Sequence, residues 1–344
     1  RVTTLAANGQ TGTWLIDPND YTVASAGGNI TGAALGTALG SSNVQISTAT
    51  QGTAGGNGDI FVNDNVTWTS GNTLTLAAER NIKINATVDA SGGSGGVVSL
   101  AYGQGAVAGG NTATYDFGMN SSGFAGKINL QAGANFKTKL GSDGATTNWT
   151  VITALGSAGD ETNLNATNSL QGIAYGGTDP VNWNFTNSRL TGNFVLGADI
   201  NAAATSSWNS NRGFSPIGSS FPLNFTGKFD GLGHAITNLT INRPTQDYVG
   251  LFGYTNRAFI SDLTVSGSVT GRQYVGGLAG YAGGDASYQI TNVGSSVAVT
   301  GTSQNIGGLV GQAYRITVSN AYASGQVADG SSSGNASNLG GLIG

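Results

Sequence analysis

One short phrase recurs four times in the last hundred or so residues, and it sets the narrowest limit on what this chain can fold into. It reads Tyr248-Val249-Gly250-Leu251-Phe252-Gly253, then Tyr274-Val275-Gly276-Gly277-Leu278-Ala279-Gly280. It returns as Asn305-Ile306-Gly307-Gly308-Leu309-Val310-Gly311 and as Asn338-Leu339-Gly340-Gly341-Leu342-Ile343-Gly344. Leu251, Leu278, Leu309 and Leu342 lie 27, 31 and 33 residues apart by subtraction. A period of that length, made of short apolar runs and glycines, marks coils that cannot bury their apolar faces alone and must stack. Glycines in such a phrase are expected at corners needing positive φ or close backbone approach.

The rest of the chain fits the same plan. Asp59-Ile60-Phe61-Val62, Val66-Thr67-Trp68, Leu74-Thr75-Leu76, Asn81-Ile82-Lys83-Ile84, Val97-Val98-Ser99-Leu100 and Gly126-Lys127-Ile128-Asn129-Leu130 alternate apolar and polar residues. Alternation at period two predicts strands with one inward face. No window here carries a convincing helical pattern, and a helix would have to survive dense glycine. Asn-Gly hairpin signals occur, as at Asn8-Gly9 and Asn57-Gly58, but not between every pair of runs. The predicted fold is all-β, a right-handed parallel β-helix or solenoid. Its regions are a ladder over 1–150, a junction or excursion over 151–188, and a repeat-bearing helix over 189–344 that stops inside its last repeat. Leu170-Gln171-Gly172-Ile173 reads as a short helical turn or a loop.

Composition narrows the function classes. Charged residues make up only 9% of 344, and 58 residues are glycine. Solubility then rests on neutral amides and hydroxyls, which suit turns and exposed ladder positions. The 13 Lys and Arg are scattered, so no basic stripe for nucleic acid is legible. With no cysteine, disulfides, thiol nucleophiles and zinc-thiolate sites are excluded. No apolar run approaches the roughly 20 residues of a membrane span. Residues 1–20 lack the basic start and apolar stretch of a signal peptide, which fits a processed or internal segment.

The four phrases resemble the GLUG-type repeat. Thr191-Gly192-Asn193-Phe194-Val195-Leu196-Gly197-Ala198-Asp199-Ile200, Phe214-Ser215-Pro216-Ile217-Gly218 and Phe225-Thr226-Gly227-Lys228-Phe229-Asp230-Gly231 precede them. In that order they resemble filamentous-haemagglutinin-like exoproteins of bacterial two-partner secretion, as do Trp14-Leu15-Ile16-Asp17-Pro18 and Asn57-Gly58-Asp59-Ile60. The resemblance implies a secreted or cell-surface adhesin of a Gram-negative bacterium. Its implied partners are an outer-membrane transporter, acting on a segment absent here, and a glycan or protein receptor on a host or neighbouring cell. End-to-end self-association into an extracellular filament is the alternative, and a polysaccharide-cleaving β-helix enzyme a less favoured one.

Candidate chemistry is sparse. A cleaving enzyme needs clustered carboxylates, and the pairs Asp59/Asp64 and Asp17/Asp20 read more simply as exposed turns. His234 is the single histidine, in Gly231-Leu232-Gly233-His234, where a turn or coil-capping role outweighs catalysis. No catalytic, cofactor or metal residues are therefore assigned. Ten Asn-x-Ser/Thr sequons, Asn65, Asn148 and Asn184 among them, are close to what the composition produces by chance. Tyr248, Tyr254, Tyr274, Tyr281 and Tyr314 are candidates for glycan contact, since aromatic rings offer apolar platforms with a polar tip. Stacking at the coil edge is the competing reading.

Overall fold

Alternating inward residues become the cores of parallel sheets. The computed structural model describes residues 12–16, 19–48, 56–177, 187–332, 334 and 336–344, and it divides into two compact units. One holds residues up to Val151 together with Val195–Gly197; the other holds Ile152–Phe194 and Ala198–Gly344. The chain is all-β, built mainly from parallel sheets, and β-helix-like. Asp17 and Asn184 lie outside the described residues.

In the first unit, Thr13–Ile16, Asn43–Ser47, Thr73–Ala77, Val97–Tyr102 and Gly133–Leu140 pair in parallel, one after another. Tyr21–Val23, Ile60–Val62, Ile82–Ile84 and Tyr115–Asp116 form a second parallel sheet, and Val66–Thr67, Thr87–Asp89 and Lys127–Asn129 a third. Register stacks like on like: Val44, Leu74, Val98 and Phe136 occupy successive rungs, all buried. Each such aliphatic side chain contributes about 1.5–3 kcal/mol on burial.

Two features depart from the expected ladder. Gly32–Leu39 is an α-helix, where no helix was expected. Thr31 Oγ1 accepts from Ala34 N at 3.2 Å, and Asp64 accepts from Gly32 N at 2.8 Å, so two of the orphan donors of the first turn are satisfied. Leu35 and Leu39 face the core. Glycine weakens a helix by about 1 kcal/mol, but a Cβ at Gly32 would lie 2.0 Å from Asn65 O and one at Gly36 2.3 Å from Thr67 O. The glycines that argue against a helix let this one lie on the strand Val66–Thr67. The second departure is antiparallel pairing: Thr147–Ile152 returns along Gly133–Leu140, and Met119–Asn120 pairs with Gly123–Phe124. Gly141-Ser142-Asp143-Gly144, with Gly141 at φ +75, makes the larger turn.

In the second unit, Ile200–Asn201, Ala235–Asn242, Phe259–Gly271 and Gln289–Gly301 pair in parallel. Gln289–Gly301 then pairs with both Thr317–Ala323 and Val327–Asp329. Phe252–Asn256, Ala279–Gly283 and Val310–Tyr314 form another sheet, and Val275–Gly276, Gln304–Gly307 and Ser337–Gly340 a third. Leu251, Leu278 and Leu309 are fully buried. Phe259–Gly271 and Gln289–Gly301 are each a continuous strand of 13 residues, with Asp262 and Asn292 at positive φ inside them.

Within the 151–188 region, residues 152–177 are folded. Gln171–Ala174 is a 3-10 turn with Ile173 buried. Gln171 donates to Ser215 O and accepts from Ser215 N, while Ser215 Oγ donates to Glu161 and accepts from the buried Arg243. Arg189 donates to Gly172 O at 2.9 Å and lies over the Tyr175 ring.

Candidate binding surface

Each phrase begins with a residue in the left-handed region: Tyr248 at φ 58, Tyr274 at 55, Asn305 at 60 and Asn338 at 56. The phrase glycines do not take positive φ; they admit close backbone approach instead. A Cβ at Gly276 would sit 2.2 Å from Ala279 O, and one at Gly280 2.6 Å from Tyr274 O. Of the two roles expected for these glycines, close approach is the one they fill. The left-handed turn falls to the preceding residue, which carries a side chain.

Those side chains stack from coil to coil. Tyr248 and Tyr274 lie face to face with centroids 4.8 Å apart, and Tyr254 and Tyr281, in register, lie 4.5 Å apart. Tyr248 meets Tyr254 edge-on at 5.1 Å, closing a half-buried quartet. Burial pushes the Tyr281 hydroxyl up to about 12, helped by its neighbour Tyr254, and raises Tyr248 in the same sense. The quartet spends its ring faces largely on itself. Tyr314, the fifth candidate, is 53% exposed and stands opposite Gly283, with Arg315 against its ring.

Where tyrosine gives way to asparagine an amide pair continues the column, and a separate ladder runs along the neighbouring long strands. Asn338 Nδ2 donates to Asn305 Oδ1 at 2.8 Å; Asn320 donates to Asn292, which donates to Asp262. The 28-residue interval between Asn292 and Asn320 was a sequence signal for this ladder that the reading of the glycine phrases passed over.

The carboxylates and the histidine are in structural use. Asp59 is buried rather than on an exposed turn; Arg80 pairs with it, and the Asn81 amide donates to it at 2.9 Å. Arg80's hydrogen bond holds Asp59 below the usual carboxylate range, against the upward push of burial. Asp64 holds the helix start, and Asp20 accepts from the backbone of Asn57 and Asp59. His234 is fully buried with Nδ1 3.0 Å from Asp199 Oδ1, which also accepts from Ala235 N. That links a turn to the strand of the next coil. Among the described residues no group of three or more His, Asp or Glu is placed to hold a metal ion.

Comparisons with known proteins agree with the repeat. Residues 302–328 match the GLUG motif family. A stretch of 122 residues, 34% of the chain, is 43% identical to Halomucin of Haloquadratum walsbyi (strain DSM 16790 / HBSQ001). It corresponds to 1% of that protein's length, so this chain spans a very small part of the relative it matches. No solved structure matches. No helix among the described residues is long and apolar enough to cross a membrane.

Proposed function

We propose that this chain is a segment of a secreted or cell-surface protein whose stacked coils present an attachment surface and carry no catalysis. The coils of each unit wind right-handed, in the manner of filamentous-haemagglutinin-like adhesins exported through an outer-membrane partner of a Gram-negative cell. A glycan or protein on a host or neighbouring cell is the receptor class. The observation that carries this reading is the in-register stacking of the glycine phrases, which commits the buried side of every coil to its neighbours and leaves the corners for display. The GLUG match and the likeness to Halomucin support a surface-associated role. The test is surface labelling of intact source cells with an antibody to this chain, with attachment of chain-coated beads to target cells. Labelling and attachment above an uncoated control are expected. A chain found only inside cells, or beads that do not attach, overturns the reading.

End-to-end association is the second reading. Ordered fibres of the purified chain in electron micrographs would favour it; single particles at all concentrations would remove it.

A further inference from the structure

Sequence scatters Lys228, Arg257 and Arg315, but the second unit gathers them. Arg257 and Arg315 take the same left-handed corner, at φ 61 and 53, two coils apart. Between them runs the coil of Gly283 and Gly284: Arg257 N donates to Gly283 O, and Gly284 N donates to Tyr314 O. Two strand spacings put their backbones about 10 Å apart. Both side chains are exposed. An L residue is strained in this region where glycine is not, so the corner is held by arginine at some expense to stability.

Aromatic rings line the same strip. Arg315 lies against exposed Tyr314, and Lys228 Nζ is 5.5 Å from the centre of the Phe259 ring, which packs on Tyr288 at 5.3 Å. Tyr288 ends the exposed turn from Asp285 that rises between the two arginine coils. Asp285 is coupled to both arginines, and its carboxylate is already engaged by Ser287 N and Oγ. Lys228 and Arg315 against rings, with exposed Arg257 on the same edge and the Asp285 carboxylate engaged beside them, form a positive and aromatic strip on a chain whose formal charge is −4.

We propose that this strip binds an acidic polysaccharide through its carboxylates, with Arg257 and Arg315 as paired anchors and Tyr314 and Phe259 against the sugar rings. Guanidinium forks take carboxylates bidentately, and aromatic faces take the apolar side of a pyranose. Spaced arginines suit a chain with charges at intervals better than a single small anion. This rests on the attachment reading and deepens it by naming the ligand class and moving the site from the tyrosine quartet to the arginine corner.

The test measures binding of the whole chain to immobilised polygalacturonate, with neutral amylose and a sulfated dextran as parallel probes. Polygalacturonate is expected to bind best, with affinity falling as salt rises. Arg257→Ala and Arg315→Ala should each weaken it about ten-fold. Lys137→Ala, in the first unit, should leave it unchanged, and circular dichroism checks that every variant is folded. Equal binding to amylose, preference for the sulfated polymer, or full affinity in the folded double arginine variant overturns the proposal. Attachment to cells without binding to polygalacturonate sinks the acidic ligand alone. Binding to polygalacturonate by a chain that never reaches a cell surface sinks the attachment reading alone.

Discussion

The two units solve the same corner problem with different residues. Among the described residues, every non-glycine residue with positive φ lies at position 187 or later, whereas the first unit turns on glycines such as Gly58, Gly93, Gly103 and Gly141. A glycine corner is free of strain and displays nothing. A corner built on Tyr248, Arg257, Tyr274 or Arg315 carries about 1–2 kcal/mol of strain and projects a side chain at a repeating height. The first unit is built for stacking; the second also arranges side chains on its outside. Within the repeated phrases glycine serves contacts and not corners, letting one coil lie against the next as at Gly276 and Gly280.

Substitutions break or sharpen this contrast. The largest effect is expected at a packing glycine: Gly276→Val drives side-chain atoms into Ala279 O and should cost about 4 kcal/mol or more, read as collapse of the thermal transition. Gly110→Ala, at a first-unit turn with φ 78 and open space where the Cβ would stand, should be milder, about 1–2 kcal/mol. Equal losses would erase the distinction between contact and corner. Next come the cores, where the units should behave alike. Leu278→Ala and Leu100→Ala are each expected to cost about 2–5 kcal/mol in denaturant melts, since both leucines are fully buried.

Acid should separate the units in the next experiment. The folded pKa of Asp59 is depressed, so its contribution is complete above the unfolded value of about 3.9 and is lost as pH falls below it. Hydrogen-exchange protection at Ile60–Val62, taken relative to the intrinsic rate at each pH, should therefore fall below about pH 4, and Asp59→Asn should cost about 1–3 kcal/mol at neutral pH while flattening that dependence. An unchanged acid profile in the variant would remove Asp59 from the account. The smallest effect is the most diagnostic. Arg315→Gly should leave stability unchanged or raise it by up to about 1 kcal/mol, because it relieves a left-handed residue. A clear loss would mean that Arg315 holds the corner together.

Much of the fold was legible because its signals are local. Period-two alternation marked Ile60–Val62, Thr73–Ala77 and Val97–Tyr102, and the leucine spacing marked coils that stack. The helix at Gly32–Leu39 was not legible, since its glycines lower helix propensity and are explained only by Asn65 and Thr67 lying beneath them. The hairpin after Leu140 was signalled by Gly141-Ser142-Asp143-Gly144, a turn cluster outside the Asn-Gly pattern. Of the candidate aromatics, sequence found all five tyrosines but could not say that four of them stack on one another while Tyr314 stays exposed.

By itself, then, the sequence determined that the chain is a stack of short parallel strands with apolar interiors. Alternation and repeat length act over a few residues and one coil, and both can be read in one dimension. Tertiary structure decided which residues share a corner. Coil lengths differ, and the extra residues of the Asp285–Tyr288 turn offset one coil against its neighbours. Lateral neighbours such as Arg257 and Arg315 therefore follow from hydrogen-bond register and not from any fixed interval in the chain.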